Sequence, residues 1–169
     1  MSHPYRMDNY RNRVPILQFP IRLDLGAGGY PQPGFTRMDF DPCNGQTDIV
    51  WDIANGIPLP DGSVSELYTS HFLEHLMPTD LHMVLQEMWR VCAGGAKVTI
   101  KVPHGDTAAG RLPCHYSFWN EAKMQAIGDW FPNPGKPDYN GNFWQVQRIW
   151  TEQPYHVLGE YLICKGWPV

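Results

Sequence analysis

The stretch Ile21-Arg22-Leu23-Asp24-Leu25-Gly26-Ala27-Gly28-Gly29 constrains this chain more than any other, because a short apolar strand runs straight into a glycine-rich turn with a carboxylate beside it. Glycines at such a turn let the backbone bend sharply and come within contact distance of a ligand, where a Cβ would collide. An α/β sheet makes room for a nucleotide-like ligand in this way. Phe35-Thr36-Arg37-Met38-Asp39-Phe40-Asp41-Pro42 then reads as a second strand with acidic residues at its end, where a Rossmann-type sheet offers a carboxylate to two ribose hydroxyls. Asp39 is the candidate. Asp41 points to the same side, since side chains alternate along a strand, and is either a second candidate or a turn residue before Pro42.

Strands and helices alternate through the first three-quarters of the sequence, the pattern of a parallel sheet covered by helices. The expected strands are 21–25, 35–40, 48–52, 65–70 and 97–102. A helix is expected from Asp80 to Cys92, with Leu81, Val84, Leu85, Met88 and Cys92 at helical spacing, Thr79 as its cap and Gly94-Gly95 as its end. A second is expected over about 118 to 131, with Phe118, Met124, Ile127 and Trp130 facing inward. Phe143 to Thr151 and Tyr155 to Cys164 are rich in aromatic and β-branched residues and flank Glu152-Gln153-Pro154, which predicts a closing antiparallel hairpin. At 169 residues the chain has room for one domain: an N-terminal extension over 1–19, a ligand-binding core over 20–104, and a substrate region with the hairpin over 105–169.

A net charge of −4 and the lack of any Lys/Arg run argue against nucleic acid as a partner. The four cysteines, Cys43, Cys92, Cys114 and Cys164, form no CxxC pair and follow no secretory signal, so reduced thiols in a cytoplasmic protein are expected. No apolar run approaches the ~20 residues that span a bilayer.

The glycine turn and the acidic second strand are followed by Val50-Trp51-Asp52-Ile53, then by Leu59-Pro60-Asp61-Gly62-Ser63 leading to Tyr68-Thr69-Ser70-His71-Phe72-Leu73-Glu74-His75, and finally by Glu87-Met88-Trp89-Arg90-Val91-Cys92-Ala93-Gly94-Gly95. This ordered series, over residues 21 to 104, resembles the class I S-adenosylmethionine-dependent methyltransferases. The resemblance implies an α/β, Rossmann-like sheet, mostly parallel with a C-terminal antiparallel hairpin, and S-adenosylmethionine as cofactor. It implies that Gly26, Ala27, Gly28 and Gly29 wrap the amino-acid part of the cofactor with Asp24 near its ammonium group. Asp39 would take the ribose, Asp52 and Ile53 would flank the adenine, and Ser70 and His71 would lie beside the sulfonium.

One departure is large. About ten residues separate Gly28 from Asp39, where about twenty, including a helix, are ordinary. Tyr30-Pro31-Gln32-Pro33-Gly34 carries two prolines in five residues and cannot be that helix, so an extended loop must return the chain. The chain is similar to a short-form branch with trimmed helices.

A sulfonium is an activated methyl donor, so the main task is holding the acceptor in line, with a base needed only for a protonated acceptor. His104 and His115, in the irregular segment after the fifth strand, are the candidates for orienting or deprotonating it. The acceptor class expected is a small molecule or a glycan-like compound. An S-adenosylmethionine binder without transfer activity is one alternative. Another is a zinc hydrolase, because His71-Phe72-Leu73-Glu74-His75 spells H-x-x-E-H. Its position after a parallel strand, Pro78 soon afterwards and the lack of a third ligand favour local pairing of Glu74 and His75 instead, and no metal is expected. Exposed sheet edges and the aromatic hairpin are compatible with a homodimer. The late aromatic residues Tyr116, Trp119, Trp130, Phe131, Tyr139, Phe143, Trp144 and Trp150 are expected mostly in the core, with one or two left to stack on a substrate.

Overall fold

The computed structural model describes residues 13–130, 143–152 and 155–165. Seven strands form one sheet: β1 (Ile21–Leu25), β2 (Thr36–Asp39), β3 (Ile49–Val50), β4 (Val64–Ser70), β5 (Cys92–Pro103), β6 (Phe143–Glu152) and β7 (His156–Cys164). Their spatial order is β3-β2-β1-β4-β5-β7-β6. Strands β1 to β5 pair in parallel, and β7 runs antiparallel to both of its neighbours. The closing hairpin therefore inserts its second strand against β5. Among the described residues two α-helices accompany the sheet, α1 (Pro78–Val91) and α2 (Glu121–Trp130).

Both helices lie over one face. A single core joins Leu23, Leu67, Val98, Ile100 and Tyr161 of the sheet to Leu81, Val84, Leu85, Met88 and Val91 of α1 and Met124 and Ile127 of α2. Each of these side chains contributes on the order of 1.5–3 kcal/mol through burial. The Tyr161 hydroxyl donates to the Met124 carbonyl at 2.8 Å, fixing α2 over β7. Parallel sheets are ordinarily covered on both faces. Here the opposite face is polar: Arg22 and Lys97 flank Glu66 at 2.7 and 3.1 Å, and Lys101 meets Glu152 at 2.8 Å. Among the described residues helices thus cover one face, and alternation along β4 and β5 replaces the continuous apolar runs of a doubly covered sheet.

The crossovers left of β1 have lost their helices, as the prolines over 31–33 predict. Parallel pairing survives because the loop is pinned at its ends: Gly26 and Ala27 N–H donate to the Met38 carbonyl, and Gln32 N–H donates to Asp24 at 2.6 Å. Arg22 stacks over Phe35, 4.1 Å from its ring centre.

Several boundaries differ from expectation. Helix α1 starts at Pro78 with Met77 before it and no side-chain cap, so Thr79 lies inside the helix. A proline in the first position has no N–H to satisfy and a preset φ. The helix does not end on Gly94-Gly95. Cys92 is already extended and pairs with Val64, so β5 begins there and the two glycines lie within the strand. Helix α2 starts at Glu121 because Asn120 accepts from Lys123 N–H at 2.9 Å, which leaves Phe118 before the helix and exposed rather than inward. Strand β3 is only two residues long, since Asp52 leaves the ladder to cap a short 3-10 turn over Ile53–Asn55. Trp119 and Trp144 are buried and Tyr116 is exposed. Residues 1–12, Phe131, Tyr139 and Gln153-Pro154 lie outside the described residues, as do the side chains of Trp130 and Phe143.

Candidate functional site

In a parallel sheet the strand order reverses at a switch point, and the C-terminal ends of the strands there bound a crevice. Here that point lies between β1 and β4. A cleft of about 450 Å³, open to solvent, lies at this edge, lined by Leu25, Gly26, Met38, Asp39, Phe40, Trp51, Asp52, Ile53 and Phe72. Four of the residues expected from the sequence meet in it: Gly26, Asp39, Asp52 and Ile53.

Each has a local reason for its place. Gly26 has φ +71°, and a Cβ there would collide with the Phe72 ring. Gly28 has φ +49°, and a Cβ on Gly28 or Gly29 would stand in open space. Asp39 accepts from Gly28 N–H through Oδ2 and from Asp41 N–H through Oδ1, both at 2.9 Å. The Cys43 thiol donates to the Gly28 carbonyl at 3.3 Å, so the second strand end holds the glycine turn from two sides. Asp52 accepts from Ala54 N–H at 3.0 Å with one oxygen. Phe40 is 59% exposed although apolar, so the cleft has an uncovered aromatic wall.

Asp24 stands behind the cleft rather than in it. It is buried, its Oδ2 is committed to Gln32 N–H, and burial raises its pKa above the usual carboxylate value, with the nearby Asp39 adding to the rise and Gln32 and Arg37 opposing it. Ala27, Gly28 and Gly29 also lie outside the lining.

Ser70 ends β4 and His71 follows it, both outside the cleft lining, with His71 next to Phe72. His71 adopts φ +55°, uncommon for a residue with a side chain. Its N–H donates to the Lys101 carbonyl, its Nδ1 stands 3.5 Å from the Glu74 carboxylate, and its ring meets the edge of His156 at 4.9 Å. Glu74 is 1% exposed, and neither of its oxygens has a hydrogen-bond partner among the described residues. Burial, then the charge of Lys101 and the neighbouring imidazole of His71, lower the His156 pKa.

The two expected catalytic histidines are in different places. His104 Nδ1 accepts from Asp106 N–H at 3.2 Å, which puts its proton on Nε2, 3.3 Å from Glu121. Nδ1 thus faces the loop after β5 and Nε2 the first residue of α2. His115 instead packs against His75, ring centres 4.7 Å apart. The H-x-x-E-H run is split accordingly: Glu74 faces His71, whereas His75 Nδ1 donates to the Cys114 carbonyl at 3.2 Å.

Sequence reasoning missed Phe40, Trp51 and Phe72 as walls and His156 as a neighbour of His71. The first three each adjoin a residue that had been singled out. His156 carried no local signal, because only the inserted strand β7 brings it to β4. A second open cleft, of about 710 Å³, follows β5 and is lined by Gly105, Asp106, Arg111, Phe118, Trp119 and Asn120.

No protein-family model and no curated protein sequence matches the chain. Solved structures do. A SAM-dependent methyltransferase from Aquifex aeolicus is 16% identical with a TM-score of 0.61, over 87% of this chain and 84% of that one. The Burkholderia thailandensis 1,6-didemethyltoxoflavin-N1-methyltransferase, with 1,6-didemethyltoxoflavin and S-adenosylhomocysteine bound, is 12% identical with a TM-score of 0.60, over 85% and 70%. The 16S rRNA (adenine(1408)-N(1))-methyltransferase from Catenulisporales acidiphilia is 12% identical with a TM-score of 0.61, over 88% and 87%. The fold is that of the class I S-adenosylmethionine-dependent methyltransferases, with the expected Rossmann-like sheet and trimmed helices. Among the described residues no helix is long and apolar enough to cross a membrane.

Proposed function

We propose that this chain is a S-adenosylmethionine-dependent methyltransferase acting on a small-molecule or glycan-like acceptor, with His71 as the base. The observation that carries the reading is the switch-point cleft in which Gly26, Asp39, Asp52 and Ile53 converge beside Phe40 and Phe72. Bound S-adenosylmethionine would supply a methyl group activated on a sulfonium. The residues present fit that group. Asp39 offers its remaining lone pairs to vicinal hydroxyls, Asp52 has one oxygen left for an exocyclic amine, and Ile53 and Phe40 give apolar surface to a ring. Gly28 and Gly29 leave open space beside their backbone. Asp24 is a buried carboxylate with a raised pKa, and an ammonium group near it would relieve the cost of its burial.

His71 meets the needs of a base. The Glu74 carboxylate favours the proton on Nδ1, which leaves Nε2 to take one from an acceptor. His104 positions the loop after β5 through Asp106 and Glu121 rather than moving a proton. The second cleft supports the acceptor class: Phe118 and Trp119 offer aromatic surface, and Asp106, Arg111 and Asn120 offer the hydrogen-bonding groups a hydroxylated compound needs.

The rival reading, a binder without transfer activity, is favoured by the occupation of both Asp39 oxygens by backbone N–H groups. Calorimetry with S-adenosylmethionine and S-adenosylhomocysteine tests the site first. Wild-type protein is expected to bind both, and no heat at millimolar ligand overturns the reading. Transfer of a labelled methyl group to a panel of small hydroxy and amino compounds and oligosaccharides then separates the two. Binding without label transfer to any of them supports the rival.

A further inference from the structure

We infer that His75, Cys114 and His115 form a binding site for a zinc ion, separate from the switch-point cleft. Each offers one donor atom, and the three donors lie within 4.8 Å of one another. Bond lengths of ~2.0–2.1 Å to imidazole nitrogen and ~2.3 Å to thiolate sulfur place tetrahedral donors roughly 3.3–3.7 Å apart. The longest separation therefore closes by at most about 1.5 Å, within the reach of small torsional adjustments of the side chains of Cys114 and His75, which are both exposed.

The backbone around the set is already fixed. The Glu74 carbonyl accepts from Tyr116 N–H at 2.8 Å and from Ser117 N–H at 3.3 Å, so the segment after Leu112 is held on the turn that carries His75. His75 Nδ1 donates to the Cys114 carbonyl at 3.2 Å. A carbonyl can only accept, so the proton sits on Nδ1 and Nε2 keeps its lone pair. Zinc-binding imidazoles are commonly oriented through a backbone carbonyl in this way. His115 Nδ1 is buried and has no hydrogen-bond partner among the described residues. Buried polar atoms normally have one, and a cation would supply it.

The donor chemistry selects the metal. Two imidazoles and a thiolate suit zinc, whereas magnesium and calcium take oxygen donors. Binding displaces the Cys114 thiol proton to solvent, since the thiolate is the ligand. Three protein donors leave a fourth position for water or an acceptor group. The ion would tie the segment over 112–117 to the short turn at Leu73–His75.

Tag-free full-length protein, stripped with chelator and kept reduced, is titrated with cobalt(II). One equivalent should give visible ligand-field bands and a near-ultraviolet thiolate-to-cobalt band, bleached by one equivalent of zinc. Cys114→Ser should lose the near-ultraviolet band, and His75→Gln should weaken zinc binding about ten-fold or more. Cys164→Ser should leave the spectrum unchanged. Circular dichroism confirms that each variant is folded, and both Cys114 and His75 are exposed enough for these changes to spare the core. The inference is overturned by the lack of a thiolate band at one equivalent, by its survival in Cys114→Ser, or by unchanged zinc affinity in His75→Gln.

Discussion

Asp39 holds Gly28 by accepting its backbone N–H at 2.9 Å, so the carboxylate at the end of β2 fixes the glycine turn after β1. In a sheet that has lost the helix between these strands, this bond does part of the helix's positioning. Asp39→Ala removes both this brace and the carboxylate proposed above to accept from ribose hydroxyls. Hydrogen bonds to charged groups are worth about 1.5–3 kcal/mol each, so S-adenosylmethionine affinity should fall about ten-fold to a hundred-fold by calorimetry. Asp41→Ala should change it little, because Asp41 lies outside the cleft lining and its carboxylate accepts from Cys43 N–H.

Gly26→Ala tests the turn itself. The new Cβ would be driven into the Phe72 ring at a φ of +71°, a conformation costing a side chain about 1–2 kcal/mol before any clash. Thermal unfolding should drop by several degrees and cofactor binding should be lost. Gly29→Ala meets open space, so its fold should be intact and any loss confined to ligand affinity.

The parts of this molecule legible in the sequence were those written in contiguous residues. The glycine turn, the acid at 39, the proline-interrupted crossover and the closing hairpin each follow from local geometry, and Gly26, Asp39, Asp52 and Ile53 line one cleft. Pairing across the sheet was not legible. That Glu66 stands between Arg22 and Lys97 depends on the β1-β4-β5 register, and it gives the sheet a polar face. The meeting of His75 with Cys114 and His115 depends on Tyr116 and Ser117 bonding the Glu74 carbonyl, an encounter no spacing encodes.

On α1, Arg90 joins Glu87 at 2.7 Å and also donates to Asp61 and to the carbonyls of Ile57 and Leu59, so one side chain gathers the loop before β4. The hydrogen bond from Arg90, reinforced by Ile57 N–H, holds the Glu87 pKa below its ordinary value of 4.5. A lowered carboxylate pKa stabilises the fold above the unfolded value, and that stability is lost as pH falls through the folded one. In urea unfolding, Glu87→Gln should be less stable than wild type at pH 7. The gap should narrow below about pH 4.5. A gap independent of pH would assign the role of Glu87 to shape rather than charge.

Glu74 sets stability against function. Its carboxylate is 1% exposed and unbonded among the described residues, with His71 Nδ1 3.5 Å away, an arrangement that burial alone makes unfavourable. Such a group persists where the site needs it. Glu74→Gln keeps the shape and removes the charge, so the melting temperature should hold or rise. Turnover should fall, because His71 loses the negative charge that favours its proton on Nδ1. His71→Ala should reduce turnover by about 10²–10⁴-fold for an acceptor that must lose a proton, with S-adenosylmethionine affinity nearly unchanged. The double variant should then be no slower than His71→Ala alone, since Glu74 acts through the imidazole. Additive losses would give Glu74 a role of its own at the reacting centre.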